Sequence, residues 1–343
     1  MKALTLTEYK SLVYGEVPDP RIGADEVLVR VRTCGICGSD VHGMDGSTGR
    51  RRPPIIMGHE AAGVIEEVGG QVTDWKKGDR VTFDSTVFCG ACWYCKRGLI
   101  NLCDNRRVLG VSCEDYRQHG AFAEYLAIPQ RILYVLPHSV TFEQAAMVEP
   151  VSIAVHAVEI TPVSLGDTAV VVGAGMVGLL VVQALRVAGC GKIIAVDLEP
   201  QKLELAKTFG ADLGLKADAC DVASEVKKHT EGRGADVALE VVGLGSSINT
   251  AISSLRKGGS LTVVGNLSPK VEIPLQVVVT RQLRLQGSCA NSGEVPACLE
   301  LLGRKAMTPE LLISATPPLA EGAAWFDRLY AHEPGLLKVI LQC

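Results

Sequence analysis

Residues 168 to 185 read TAVVVGAGMVGLLVVQAL and carry no charge. A run of that length just reaches the roughly 18 apolar residues that a bilayer-spanning helix needs, so this stretch decides between a membrane segment and an interior one. Glycines stand at 173, 175 and 178. Val170-Val171-Val172 before them favours a strand, and the Leu/Val/Ala run after them favours a helix. The reading is therefore a buried strand, a turn and a buried helix, with no membrane span.

In that arrangement Gly173 makes the turn, Gly175 lets the backbone approach a pyrophosphate, and Gly178 lets the helix pack on the strand. Asp197 closes the next strand, KIIAVD (192–197), where a carboxylate can accept hydrogen bonds from an adenosine ribose. Leu198 and Glu199 offer no cation for a 2′-phosphate, which favours NAD over NADP. Pro200 suits the first turn of the following helix. The competing reading is a doubly wound fold with a purely structural glycine turn and a solvated Asp197.

Working outward, apolar strands alternate with helical segments at DVALEVVG (236–243), SLTVVG (260–265) and LRLQGS (283–288). That alternation predicts crossover units and an α/β, doubly wound parallel sheet. Upstream, EVLVRVR (26–32) alternates with period two, and AAGVIEEVG and KKGDRVTF repeat strand-turn-strand cues. The first half is expected to be β-rich and barrel-like.

The chain has 343 residues, 47% of them hydrophobic, and a net charge of −4. This fits a soluble globular protein of about two domains and leaves no electrostatic footprint for nucleic acid. MKALTLTEYK at the N-terminus lacks the apolar run of a secretory signal. The twelve cysteines are accordingly expected in a reducing cytoplasm, where persistent disulfides are rare.

Four of those cysteines crowd CGACWYCKRGLINLC (89–103). The spacing Cys89-x2-Cys92-x2-Cys95-x7-Cys103 suits a tight loop converging on one tetrahedral ion, with Gly90 and Gly98 allowing the turns. A thioredoxin-type pair would call for one CxxC at a helix start, not three overlapping spacings in a loop. With sulfur at all four positions no ligand site is left for water or substrate, so this zinc is structural. Two further clusters, CGICGSDVH (34–42) and GHE (58–60), offer Cys37, His59 and Glu60, the residue types of a three-ligand site with an open position.

The order CGICGSD, GHE, a four-cysteine lobe, GAGMVG and Asp197 resembles the zinc-containing medium-chain alcohol dehydrogenases. MVEPVSIAVHA (147–157) is similar to the polyol members, which include sorbitol, galactitol-1-phosphate and butanediol dehydrogenases. The resemblance implies a GroES-like β-barrel catalytic domain over 1–149 with its lobe at about 89–103, a Rossmann domain inserted at 150–288, and a segment 289–343 returning to the first domain. It implies Cys37 and His59 binding a catalytic zinc with Glu60, Glu149 as alternate ligand or holder of the zinc's water, and about two zinc ions per chain. Further cofactor contacts so implied are Val177, Lys202, Val264, Gly265, Asn266, Ser288, Cys289 and Ala290. Ser39 would take the proton of a small-molecule alcohol and pass it to His42 or solvent. Asp40 would orient His59, and the protein would be a dimer or tetramer.

Several features keep two readings. His42 is either a relay member or a hydrogen-bonded surface histidine. Arg50-Arg51-Arg52 is either a solvated loop or an attractor for a phosphate or carboxylate on the substrate. Cys34 is read as a buried thiol. Sorbitol dehydrogenases carry an aromatic residue just after the first cluster's histidine and an arginine after the last cofactor strand, where this chain has Gly43 and Ala290. Sorbitol itself is therefore not expected, whereas secondary-alcohol oxidation is. Asn291, Ser292, Glu294, Met44 and Asp45 could supply other pocket contacts. The readings in play are an NAD-dependent dehydrogenase of a polyol, sugar or phosphorylated polyol, the same machinery on threonine or a small diol, and a non-enzymatic zinc-binding homologue.

Overall fold

A computed structural model describes all of residues 1–343. It divides into two compact units, Met1–Glu149 with Val295–Cys343, and Pro150–Glu294. The chain returns to the first unit at Val295 rather than at 289. After the last strand of the inserted unit, Arg284–Gly287, the Ser288 amide donates to the Val263 carbonyl at 2.8 Å and Glu294 pairs with His156 at 2.6 Å, which keeps the connecting segment fastened to that unit.

The inserted unit is built on a six-stranded parallel sheet in the order Leu213–Lys216, Lys192–Asp197, Thr168–Val172, Ala235–Glu240, Leu255–Val263, Arg284–Gly287. The opening stretch is indeed a strand, a turn with Gly173 at φ 100°, and a helix Met176–Val187. Val170, Val171 and Leu179 to Val182 are buried. No helix is long and apolar enough to cross a membrane. The strand Leu213–Lys216 is absent from the sequence reading. Its four residues LGLK contain Gly214, where a Cβ would stand 2.9 Å from that of Leu203. A glycine that admits a neighbouring helix so closely hides the strand pattern.

The first unit is mainly antiparallel, as its alternation predicts, with Ile313–Ala315 joining Lys338–Gln342 in parallel. Glu26–Gly35 lies between Glu60–Val68 and Lys338–Gln342 in its largest sheet. At the end of the central strand, Gly35 is paired with Glu60 on one side and with Ile340 on the other. Phe122 and Phe326 meet edge to face in the core, their centroids 5.6 Å apart. The helix Phe142–Ala146 starts at a reciprocal capping box: the Gln144 amide donates to Thr141 Oγ1 at 3.2 Å, and the Thr141 amide donates to Gln144 Oε1 at 3.0 Å.

Candidate active site and metal centres

Strand register assembles the first cluster. Because Gly35 faces Glu60, Cys37 just past one strand and His59 just before the other arrive at the same end of the sheet. The ligand atoms of Cys37, His59 and Glu60 lie within 4.8 Å of one another. A short helix, Gly38–Gly43, follows Cys37, with the Asp40 and Val41 amides donating to the Cys37 carbonyl. That single turn sorts its side chains, sending Asp40 into the interior and leaving Ser39 exposed.

Asp40 Oδ2 lies 3.4 Å from His59 Nδ1. Burial alone would raise the Asp40 carboxyl, but His59 and Arg51 hold it far below the usual carboxylate range. Burial likewise opposes charge on His59, yet Asp40 and Cys37 raise its pKa well above the ordinary value. Ser39 Oγ donates to Cys37 Sγ at 3.3 Å. Glu149, outside the three-ligand cluster and partly exposed, has its carboxyl pushed up to about 7 by burial, with Glu60 and Asp84 adding and His59 and Lys338 opposing.

The cluster fits a metal on its own chemistry. It brings sulfur, imidazole and carboxylate together, and Glu60 Oε1 is buried with no hydrogen-bond partner. An unsatisfied buried carboxylate oxygen is costly unless a cation completes it. The other Glu60 oxygen is paired with Lys338 Nζ, which also donates to the Ile36 carbonyl at 3.1 Å. Lys338 reaches it because Ile340 is opposite Gly35, and because a side chain at position 35 would occupy the space of the pair. Sequence reading missed Lys338. Its one signal was a charge inside the apolar run LLKVIL.

In the cysteine lobe all four sulfurs of Cys89, Cys92, Cys95 and Cys103 also lie within 4.8 Å. Cys89 and Cys95 sulfurs are 4.0 Å apart, close to the roughly 3.8 Å edge of a tetrahedron with Zn–S near 2.3 Å. Backbone amides donate to three of the sulfurs: those of Ala91 and Cys92 to Cys89 at 3.4 and 3.3 Å, Cys95 to Cys92 at 3.5 Å, and Cys89 to Cys103 at 3.3 Å. These amides bring the Cys89 thiol down to about 6, while burial and the neighbouring sulfurs push Cys95 up to about 12. Such a nest holds four thiolates only around a cation.

In the inserted unit the expected cofactor residues gather at the carboxyl ends of the parallel strands. A Cβ at Gly173 would stand 2.6 Å from Val242 Cγ2, one at Gly178 would strike the Gly173 carbonyl, and Gly175 faces open space. Gly175 caps the helix that carries Val177, leaving amides free for an anion. Asp197 Oδ2 accepts from the Ala174 amide at 2.7 Å, joining the glycine turn to the next strand end. Val264 and Gly265 amides donate to the Glu240 carbonyl, and Ser288 is tied to Val263. These contacts bring 264–266 beside the turn at 241–243 and set 288–290 at the end of the next strand over. Lys202 is engaged with Glu199 at 2.6 Å. A lysine absent from the sequence reading, Lys216, is the cross-strand neighbour of Asp197 and pairs with Asp218 at 2.6 Å.

Other expectations are settled differently. Arg51 is not available to a substrate anion, because it is 4% exposed and bound to Asp40. Arg52 lies 3.8 Å from Glu114, and Arg50 remains exposed. The His42 ring is 6.3 Å from that of His332. Cys34 is a buried thiol.

Residues 23–138 match the family described as alcohol dehydrogenase GroES-like domain, and residues 176–304 match zinc-binding dehydrogenase. Sorbitol dehydrogenase of Bacillus subtilis (strain 168) is 35% identical over 346 residues, covering 99% of this chain and 97% of the relative. Alcohol dehydrogenase TADH from Thermus sp. ATN1 superposes with a TM-score of 0.94 at 32% identity, over 100% of this chain and 99% of that one. A zinc-binding dehydrogenase of Sinorhizobium meliloti 1021, bound to NADP, gives 0.91 at 30% identity over 100% and 99%. With both halves matched in their expected order, the chain belongs to the zinc-dependent medium-chain alcohol dehydrogenases and is an enzyme of that family.

Proposed function

We propose that the protein oxidises a secondary alcohol of a polyol or sugar to the ketone, with NAD becoming NADH and one proton released. The observation that carries this reading is the convergence of Cys37, His59 and Glu60 with an exposed Ser39 hydroxyl 3.3 Å from the Cys37 sulfur. When bound, zinc at the three ligands supplies the acidification of the alcohol hydroxyl, and NAD supplies the hydride acceptor. Ser39 receives the alcohol proton as its own leaves towards His42 or solvent. Asp40 fixes the His59 ring. Glu60, with one oxygen neutralised by Lys338 and the other bare, is the carboxylate ligand, and Glu149 is its alternate.

Cys89, Cys92, Cys95 and Cys103 hold the structural zinc. The helix beginning at Met176 receives the pyrophosphate, and Asp197 selects NAD through the ribose. Val177, Lys202, Val264 to Asn266 and Ser288 to Ala290 complete the cofactor site. The relative acting on sorbitol supports the polyol class. Gly43 and Ala290 stand where sorbitol dehydrogenases carry an aromatic and an arginine, so a different polyol is the substrate. Burial of Arg51 takes one arginine from the run that could attract a phosphorylated polyol and leaves Arg50 and Arg52 exposed, so a phosphorylated polyol stays within the proposed class. Exposed Leu267, Leu275 and Val279 beside the edge strand Arg284–Gly287 support a homo-oligomer, and twelve free thiols suit the cytoplasm.

The test is NADH formation by zinc-replete protein over polyols, sugars, diols and threonine, with metal analysis alongside. Turnover of polyols with about two zinc per chain is expected. Cys37→Ala should fold, lose activity and keep the lobe zinc. Full activity in that variant, or silence across the alcohols with zinc and NAD bound, sinks the reading.

A further inference from the structure

Arg51 is the interior member of a run of three arginines, and its side chain turns away from solvent. Its Nε and Nη2 donate to Asp40 Oδ1 at 3.0 and 2.8 Å, and Nη2 also reaches Ser39 Oγ at 3.3 Å. The remaining terminal nitrogen donates to the Arg50 carbonyl at 3.0 Å. Its backbone is pinned as well, since the Ser112 amide donates to the Arg50 carbonyl and the Arg52 amide donates to the Ser112 carbonyl. Head and backbone are thus both fixed, and one planar fork spans two functional side chains, which a lysine ammonium cannot reproduce. The buried Gly43 makes room for this: a Cβ there would stand 2.5 Å from Arg51 Cγ.

We propose that Arg51 is a positioning residue of the active site, holding the Ser39 hydroxyl and the Asp40 carboxylate with a single guanidinium, and that Gly43 is the gap that admits it. The inference rests on the reading of Ser39 as proton acceptor and of His59 as metal ligand. Through Asp40, Arg51 steadies the His59 imidazole. Through Ser39, it occupies one lone pair of Oγ and leaves the other aimed outward for the alcohol proton. An arginine at 51 and a side chain at 43 exclude one another, so the pocket wall near Ser39 is a guanidinium here and not an aromatic ring.

Arg51→Ala, Gly43→Ala, Ser39→Ala and their pairs in the zinc-loaded enzyme test this, read by kcat and by the rate at which each zinc passes to a colorimetric chelator. Loss of a ligand's orienting partner weakens metal sites about 10- to 100-fold. Arg51→Ala and Gly43→Ala should each release the catalytic zinc at least about tenfold faster and leave the lobe zinc unchanged. Effects acting through one residue do not add. Arg51→Ala should therefore lower kcat about tenfold in the parent but by a smaller factor beside Ser39→Ala, where only its route through Asp40 remains, and Gly43→Ala should be silent within about twofold beside Arg51→Ala. Gly43→Ala removes no charge, so it carries the test if Arg51→Ala fails to fold. The zinc-release arm decides even if the parent turns over no alcohol. Unchanged release in both single variants, or equal losses of kcat with and without Ser39, overturns the proposal.

Discussion

Lys338 shows 1% of its surface to solvent and Glu60 none, yet they face each other as a charged pair. Removing one member of a buried pair leaves the other charged and unpaired, at roughly 3–5 kcal/mol. Lys338→Met should lower the denaturant-measured stability of metal-free protein by about that amount. A loss below about 1 kcal/mol would mean that the buried pair adds little to the folded state. Asp197 gives a second test at this scale. Its carboxylate already accepts from Ala174 and Glu199 amides, but a carboxylate carries about four acceptor sites and keeps room for a ribose. Asp197→Ser should narrow the NAD-over-NADP preference, helped by the cross-strand Lys216. An unchanged ratio of kcat/KM values would remove Asp197 from cofactor choice. At this scale the sequence was informative about residues whose chemistry needs a particular type at a particular spacing, such as Cys37 and Gly178. It read Arg51 as one of three surface arginines, because nothing in one dimension shows that side chain turning in to Asp40, and it was silent on Lys338, whose role comes from a register that joins positions far apart.

The cysteine lobe is an element with little core of its own. Its two 3-10 turns bury a single residue, Asn101, so the fold there depends on the metal. Cys95→Ser should drop the zinc content from about two to about one per chain and make the segment 89–103 the first site of proteolytic cutting. Retention of both ions would assign the second zinc elsewhere. This lobe was legible because ligand spacing survives in one dimension. The strand-turn-helix at 168–187 was legible because β-branched residues, three glycines and a helical run succeed one another without overlap. The strand Leu213–Lys216 was not, since a glycine chosen to admit Leu203 reads as a loop.

For the whole molecule, the balance of carboxylates predicts its response to acid. Burial alone would raise Asp236, but Arg256 and the Thr168 amide outweigh it and hold its carboxyl below the ordinary value. A depressed carboxyl stabilises the fold above its unfolded pKa of about 3.9 and loses that contribution as pH falls through its folded value. Asp236→Asn should therefore lower Tm at pH 7, and the difference from the parent should close as pH falls below about 4. A gap that stays constant to low pH would leave only a hydrogen-bond effect. The inserted architecture was anticipated from the family order of motifs. The return at Val295 was not, because the His156–Glu294 pair that delays it joins residues 138 positions apart.

The strand Lys338–Gln342 fills the place beside Thr33–Gly35, at the end of a strand whose Glu26–Arg30 pairs with Tyr125–Pro129, and the ribosome makes it only after the entire inserted unit. Until then the 33–35 end of the older strand lacks that partner and Glu60 has no counter-cation, whereas residues 150–294 already contain every strand of their own sheet. Synthesis therefore completes the strands of 150–294 before those of the other unit, so Glu60 meets its counter-cation only when the strand Lys338–Gln342 is laid down.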